Sequence, residues 1–271
     1  MKILFIGDIV GRSGRDAVRD YLPLLRTRLS LDVVIANAEN SAHGFGHTPK
    51  ICDDLYSYGV DVITSGNHVW DQREIIPYLD RIPRMIRPIN YPPGTVGRGH
   101  VILDVSGGRK IMVINAMGRL FMDPLDDPFA VIRGLLDQYP LGSNGIHAIF
   151  LDFHGEASSE KQAIAYHLDG RVSAVIGTHT HVPTADARIL PGGTAFQTDA
   201  GMTGDYDSVI GMRKDLAVAR FVRKVPGEKL SPCEGPAMLC GVFIETNDTT
   251  GHATEIRSVR IGQGLISTDT V

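Results

Sequence analysis

Five short apolar segments in the sequence each end directly in a polar side chain of the Asp, Glu, Asn or His type. Amphipathic stretches separate these segments, which predicts strands and helices that alternate around a mostly parallel sheet. Because the carboxyl ends of parallel strands share one edge of such a sheet, we expect the polar side chains to lie together there. They are Asp8, Glu39, Asn40, Asn67, His68, His154, His179 and His181.

The order of the predicted elements favours one layered α/β domain over residues 1–271, in which two sheets pack between helices. One helix is expected over residues 15–29, bent or broken at Pro23, and a second helix begins with Thr48 as its N-cap. The last third of the chain is rich in strand patterns. We predict a strand there over residues 217–222.

The composition excludes several classes of protein. The 27 basic and 31 acidic residues give a net charge of −4, which argues against broad coating of nucleic-acid phosphates or anionic lipid. No apolar run approaches the roughly 20 residues of a membrane-spanning helix, so no membrane partner is expected. The three cysteines, Cys52, Cys233 and Cys240, form no C-x-x-C motif and are interpreted as reduced thiols of a cytoplasmic protein.

The residues at the strand ends supply enough ligands for two divalent metal ions. Any one of them alone is more typical of a turn or a helix cap, but the whole set favours a metal site. If one carboxylate bridges, each ion has four protein ligands, and the uncompensated positive charge favours an anionic oxygen substrate such as a phosphate. The two carboxylates, two amide oxygens and three imidazoles belong to Asp8, Glu39, Asn40, Asn67, His154, His179 and His181.

The motifs around these residues resemble the dinuclear metallophosphoesterase superfamily, whose pattern is D-x-H, G-D, G-N-H-[DE], a single H and G-H-x-H. This sequence departs from it with Val10, Glu39 and Val69. The departures match the YmdB-type branch, bacterial 2′,3′-cyclic-nucleotide 2′-phosphodiesterases. The resemblance implies a four-layer α/β/β/α sandwich with the site at the carboxyl ends of the strands. The stretches that resemble this branch are 6–11, 37–40, 66–71, 152–156, 177–186 and 198–204.

The resemblance also implies how the ligands divide between the two ions. Iron is the implied metal and manganese is the alternative; ligands of nitrogen and oxygen without thiolate permit iron, manganese or zinc and do not choose among them. Glu39 is the implied bridge. The first ion takes Asp8, Glu39, Asn40 and His181, and the second takes Glu39, Asn67, His154 and His179.

The expected reaction is hydrolysis of a phosphodiester by a hydroxide that bridges the two ions. The leaving ribose oxygen needs a proton, and His68, which follows Asn67, is the candidate general acid unless it only hydrogen-bonds the phosphate. A glycine-rich loop after Asn40 supplies two candidate substrate contacts, His43 and Phe45. An ordinary surface or packing role for that loop stays open.

Two other functions stay open at this point. A phosphomonoesterase can use the same pair of ions, and an RNA-binding or regulatory protein can retain a metal site. The net charge of −4 speaks against RNA binding, although RNA fragments that end in a cyclic phosphate remain candidate substrates. A small-molecule cyclic nucleotide is the expected partner, and the sequence leaves open whether the chain forms a homo-oligomer.

Overall fold

The computed structural model describes residues 1–223 and 227–268. The helices in these ranges are α1 (Gly11–Leu29), α2 (Pro49–Tyr58), α3 (Ile76–Arg81), α4 (Pro128–Gln138), α5 (Ser158–His167) and α6 (Lys214–Arg223). The strands are β1 (Lys2–Ile6), β2 (Val33–Asn37), β3 (Val62–Thr64), β4 (His100–Val105), β5 (Arg109–Met117), β6 (Ile146–His154), β7 (Ala174–Thr178), β8 (Arg188–Ile189), β9 (Ala195–Gln197), β10 (Met238–Thr246) and β11 (Ala253–Gly262).

The strands form two sheets, each with a run of parallel strands. The first sheet has the order β11-β10-β1-β2-β3, in which β1, β2 and β3 are parallel to one another. The second has the order β4-β5-β6-β7-β9-β8, in which β5, β6, β7 and β9 are parallel. Antiparallel pairing adds β10 and β11 beside β1 in the first sheet, and β4 and β8 at the two outer positions of the second. The carboxyl ends of the parallel strands are therefore brought together within each sheet.

The two sheets pack face to face between layers of helices. Phe5 on β1 and Phe150 on β6 lie with their ring centroids 5.0 Å apart, within a cluster of buried side chains drawn from both sheets. Helices α1, α2 and α3 cover the outer face of the first sheet, and α4 and α5 cover that of the second. The predicted four-layer α/β/β/α sandwich is confirmed.

Strand β1 illustrates why the central strands are mostly apolar. Ile3 and Phe5 point into the layer between the sheets, whereas Leu4 and Ile6 pack against the helices outside. Side chains alternate between the two faces of a strand, so a strand buried on both faces favours apolar residues at nearly every position. The first polar position falls after the strand has ended, at the edge of the sheet.

Helix α1 is continuous through Pro23, so the helix does not break at this residue. Pro23 lies on the exposed face of the helix, where water can satisfy the carbonyl group that loses its donor. Helix α2 begins as expected: Thr48 Oγ1 accepts a hydrogen bond from Ile51 N at 3.3 Å. Across the described ranges, no helix has both the length and the apolar character needed to cross a membrane.

The strand predicted over residues 217–222 is wrong, because this segment lies within helix α6. Ala217 N donates to the carbonyl oxygen of Arg213, one helical turn earlier. Ala217 is buried, whereas Phe221 and Val222 are each 76% exposed. Several apolar residues of this helix therefore lie on the surface. Their close succession in the sequence resembles the apolar pattern of a buried strand, which led to the wrong prediction.

Candidate metal centre

The polar side chains that follow the strands lie at the carboxyl edge of the two sheets. Asp8 follows β1, Glu39 follows β2 and His154 is the last residue of β6. All three side chains are buried. The backbone N of His179, just after β7, donates to Asp8 Oδ2 at 3.2 Å. The structure thus joins residues from both sheets at one place.

Three potential ligand atoms surround the Nε2 atom of His154 at nearly equal distances. Asn67 Oδ1 lies 2.9 Å from it, His179 Nδ1 3.0 Å and Glu39 Oε1 3.1 Å. One ring nitrogen carries at most one hydrogen, so it can donate to only one of these atoms. Metal bonds of roughly 2.0–2.2 Å to nitrogen and oxygen place neighbouring ligand atoms about 3 Å apart. The observed spacing therefore fits ligands of a common cation.

The other ring nitrogen of His154 is held by a chain of hydrogen bonds. Thr178 Oγ1 donates to Asp152 Oδ1 at 2.7 Å, so it accepts from His154 Nδ1, 2.9 Å away. Asp152 also accepts from Asn37 Nδ2 at 3.0 Å and from Thr64 Oγ1 at 2.5 Å. Because Nδ1 carries a proton, the lone pair of the neutral imidazole lies on Nε2, toward the candidate ligands.

A second group of ligand atoms lies at His181 and Asn40. His181 Nδ1 donates to the carbonyl oxygen of Ile210 at 2.8 Å, which leaves the lone pair of the neutral ring on Nε2. That atom lies 3.3 Å from Asn40 Oδ1. Asn40 Nδ2 donates to Gly44 O at 3.0 Å, which fixes the orientation of the amide. Two acceptor atoms therefore face each other, as ligands of one ion do.

Asp8 carries an orphaned polar atom. Its Oδ1 is buried and has no hydrogen-bond partner among the described residues. Burial, the largest effect, raises the pKa of this carboxyl, and the nearby His181 and His154 only partly oppose it. A buried carboxylate oxygen without a donor is costly unless a cation compensates it. This atom is therefore a fitting metal ligand.

Glu39 fits closely against Gly66, the residue before Asn67. A Cβ atom at Gly66 would overlap both Glu39 Oε2 and the ring of His154. Only glycine leaves room for the two side chains to meet at this point. The same carboxylate oxygen of Glu39 accepts from the backbone N of His68 at 3.2 Å. Gly66 and the backbone of His68 thus hold Glu39 in the position where the candidate ligand atoms meet.

The charges at the centre favour a cation at the position of His154 Nε2. Burial opposes a charge on His154, yet Glu39 and Asp8 raise the pKa of this histidine to about 9. Burial also acts to raise the pKa of the Glu39 carboxyl, but the positive charge of His154 holds that pKa at about 2. Burial, followed by the charge of His154, lowers the pKa of His179 to about 3, which keeps His179 neutral. The oxygen and nitrogen atoms present therefore suit a metal ion.

His179 and His181 both have left-handed backbone conformations, with φ angles of 100° and 65°. Non-glycine residues seldom adopt this region, so surrounding contacts must stabilise it. Asp199 Oδ2 accepts from Thr180 N at 3.0 Å and from Thr180 Oγ1 at 2.8 Å. Buried Lys161 lies 2.8 Å from the same oxygen. The ion pair fixes the residue between the two histidines, and through it both rings.

His68 and Phe45 line a cavity of about 400 Å³ together with candidate metal ligands. His68 Nδ1 lies 2.8 Å from Asp71 Oδ2, and the ring of Phe45 packs edge-on against His68 with centroids 5.2 Å apart. His43 lies elsewhere, in a neighbouring cavity of about 890 Å³. Of the two predicted substrate contacts, the structure brings only Phe45 into the cavity of the candidate ligands.

Sequence reasoning missed several residues that support the site, Lys161 among them. Asp152 was detectable, because a charged residue inside a buried apolar strand indicates a buried polar network. Asp71, three residues after His68, gave a weaker signal. Glu156 Oε2, 3.1 Å from His179 Nε2, and Thr178 have contacts that depend on the tertiary fold. No local sequence pattern predicts these two contacts.

The chain is similar to a known protein family over nearly all of its length. A family model described as "YmdB-like protein" matches residues 4–259. The chain belongs to the YmdB-like family. The expectation from the motifs is confirmed. One YmdB-like relative, from Bacillus subtilis (strain 168), is 46% identical over 96% of this chain and 97% of its own length, and is named a 2′,3′-cyclic-nucleotide 2′-phosphodiesterase.

Two solved structures share the fold of this YmdB-like chain over nearly all its length. A hypothetical protein from Thermus thermophilus has a TM-score of 0.90 at 42% identity, with 97% of this chain and 100% of that chain covered. A structure titled as a novel phosphatase from Mycoplasma pneumoniae also has a TM-score of 0.90, at 33% identity, with 97% and 93% covered. The layered fold described above is therefore one found in solved proteins.

Proposed function

We propose that this protein is a dinuclear metal-dependent phosphodiesterase that hydrolyses 2′,3′-cyclic nucleotides. The observation that carries the proposal is the convergence of Asn67, His179 and Glu39 on the Nε2 atom of His154. The name of the 46% identical relative supports the same reaction class. The two carboxylates among the proposed ligands do not neutralise two divalent cations. The remaining positive charge favours an anionic substrate such as a phosphodiester.

The proposed ligands follow the two groups of atoms at the sheet edge. Asn40 and His181 face each other at one position, and the unpartnered Oδ1 of Asp8 supports its place beside them. Glu39 is proposed as the bridge. The first ion takes Asp8, Glu39, Asn40 and His181, and the second takes Glu39, Asn67, His154 and His179.

Two ions held there would lower the pKa of an attacking water and offset negative charge on the phosphate in the transition state. The ligand set is nitrogen and oxygen alone, which suits iron, our proposal, and also manganese. The three cysteines contact other residues: Cys52 Sγ lies 3.7 Å from Met85 Sδ, Cys240 Sγ accepts from Tyr206, and Cys233 Sγ lies 3.8 Å from the carbonyl oxygen of Asp207.

His68 is the proposed general acid for the leaving ribose oxygen. Its Nδ1 pairs with Asp71, so a proton exchanged with substrate is carried on Nε2. The carboxylate orients the ring. The backbone N of His68 donates a hydrogen bond to Glu39 Oε2. This contact places the His68 ring beside the candidate ligands, although the ring itself is not proposed as a ligand. Phe45 limits the movement of the ring from one side.

The experiment that tests the function compares two substrates in the same preparation. Metal content is measured on the purified protein, followed by kcat/KM for 2′,3′-cyclic AMP and for 3′-AMP. We expect two metal ions per chain and faster turnover of the cyclic diester. Faster turnover of 3′-AMP would identify a phosphomonoesterase instead. Short RNA that ends in a 2′,3′-cyclic phosphate, tested alongside, shows whether RNA ends are also substrates.

A further inference from the structure

A second cavity adjoins the candidate metal centre, and we name it the base cavity. Its volume is about 520 Å³, within the range of small-molecule sites. Most of its wall is apolar, and it shares His181 and Ile210 with the cavity that contains the metal ligands. A molecule bound by its phosphate at the ligands can therefore extend past these two residues. The other wall residues used below are Val182 and Arg260.

Ile210 stands between the two cavities in a strained conformation. Its φ angle is 48°, which a β-branched residue adopts only at a cost. Its carbonyl oxygen accepts from His181 Nδ1, and Gly211 N donates to Ser208 Oγ at 2.8 Å, so the turn is fixed in place. The Ile210 side chain is nevertheless 53% exposed. A rigid turn that presents an apolar side chain beside a metal ligand points to a contact with substrate.

Arg260 on β11 provides a polar group in the wall of the base cavity. Its Nε atom is buried and, among the described residues, has no hydrogen-bond partner. A buried donor of this kind normally has an acceptor, because losing its hydrogen bond to water is costly. The backbone N of Arg260 donates to Thr268 Oγ1 at 2.7 Å, so the strand is held at this point. Because Nε itself is closed to solvent, the terminal nitrogens of the guanidinium are the donors that a ligand in the cavity can reach.

We propose that the base cavity binds the nucleobase of a nucleotide whose phosphate lies at the metal centre. Ile210 and Val182 contact a face of the base, and the terminal nitrogens of the Arg260 guanidinium donate to a carbonyl oxygen or ring nitrogen on its edge. Apolar walls with one or two fixed polar groups are what a planar heteroaromatic ring requires. This assignment rests on the proposed function, and it makes Arg260 a residue of base recognition.

The larger cavity beside His43 is a weaker candidate for the base. Its two cations are already paired: Arg213 lies 2.6 Å from Asp215, and Lys214 lies 2.7 Å from Asp207. It shares Leu230 with the metal cavity, whereas the base cavity shares the candidate metal ligand His181. The shared ligand His181 favours the base cavity, and so does the guanidinium of Arg260, which has no ion pair among the described residues.

The test is Arg260→Met in the metal-loaded protein, assayed on two cyclic phosphates. One is 2′,3′-cyclic AMP, and the other is 1-O-methylribose 2′,3′-cyclic phosphate, which has the same reacting ring but no base. We expect KM for the nucleotide to rise about tenfold, as for loss of a hydrogen bond to a charged group, with kcat nearly unchanged. Both constants for the base-free substrate should stay as in the wild type. Arg257→Met, on the same strand but over the ring of Phe243, is the matched control.

Binding measurements separate this proposal from the proposed function. Equilibrium dialysis of 3′-AMP and ribose 3-phosphate needs no turnover, and Arg260→Met should weaken only the first. If the wild type hydrolyses neither cyclic phosphate, the proposed function is wrong. The base assignment still stands in that case if Arg260→Met weakens the binding of 3′-AMP and leaves that of ribose 3-phosphate unchanged. Equal effects on both compounds, or no effect on either, would overturn the base assignment. Sedimentation of the wild type and of Arg260→Met tests one other role. If the wild type is a dimer and the variant is not, while binding of both ligands is unchanged, the cavity is an interface between copies and the base assignment is wrong.

Discussion

His154 donates from Nδ1 to the hydroxyl of Thr178 over 2.9 Å, on the side of the ring opposite the candidate metal ligands. The hydroxyl has one hydrogen, which it gives to Asp152. The direction of both hydrogen bonds is therefore fixed, and so is the tautomer of the neutral histidine. A single threonine thus determines that the lone pair of His154 faces the metal centre.

Thr178→Val should weaken metal binding by about 10–100-fold, the usual effect of losing such a supporting hydrogen bond. Valine has nearly the same shape but accepts no hydrogen bond, so the ring loses its orientation and Asp152 loses a donor. Thr178→Ser keeps the hydroxyl and should bind metal nearly as the wild type does. Titration of the metal-free protein with Mn²⁺ measures both affinities. Equal affinity in the valine and serine variants would show that the hydroxyl does not orient His154.

Gly66→Ala should prevent normal assembly of the centre, because the added methyl group overlaps Glu39 and His154. We expect loss of bound metal and of phosphodiesterase activity. Gly134→Ala is the control: this residue lies in α4, and no atom lies within 4 Å of an added Cβ. Alanine there should stabilise the helix by about 0.5–1 kcal/mol. Metal analysis and thermal unfolding of the two variants check both expectations, and normal metal content in Gly66→Ala would contradict the first.

His68→Ala should retain both metal ions, because His68 is assigned to proton transfer. Hydrolysis of 2′,3′-cyclic nucleotides should slow by about 10²–10⁴-fold, the usual contribution of a general acid. A p-nitrophenyl phosphodiester should be impaired much less, since its phenolate leaves without a proton. The measurement is kcat for both substrates, together with metal content. Asp71→Asn should show the same dependence on the leaving group in weaker form.

Other roles for His68 give different results in the same assay. If it stabilises the phosphate oxygens, both substrates should slow alike, because that charge develops whichever group departs. If it only positions Asn67, the metal content should fall as well. Equal impairment of the two substrates at full metal content would therefore remove the general-acid role.

The local sequence was sufficient to predict much of the fold. Strand β1 is apolar at every position from Ile3 onward because it is buried on both faces, and Thr48 at the start of α2 carries its own capping hydrogen bond. Helix α6 was mispredicted because Phe221 and other apolar residues of this segment lie on the surface. The spacing of apolar residues indicates a helix or a strand only where those residues are buried. The order of strands within the two sheets depends on tertiary pairing and could not be read from local pattern.

The candidate ligands were predictable for a related reason. Asp8, Glu39 and His154 stand at the ends of apolar strands, and parallel topology brings those ends together. The supporting residues were not predictable in this way, since Thr178 and Lys161 act on partners far from them in sequence. The base cavity was also inaccessible to sequence reasoning, because Ile210 and Arg260 meet only in the folded chain.

The most direct test of the two-ion centre is the number of metal ions bound per chain in Glu39→Gln. An amide does not bridge two cations as a carboxylate does, so this variant should lose at least one of two ions and nearly all turnover of 2′,3′-cyclic AMP. Its circular dichroism should match the wild type, because the change is nearly isosteric. Two ions per chain with a near-normal rate in this variant would contradict the assignment of Glu39 as the bridge and, with it, the proposed centre.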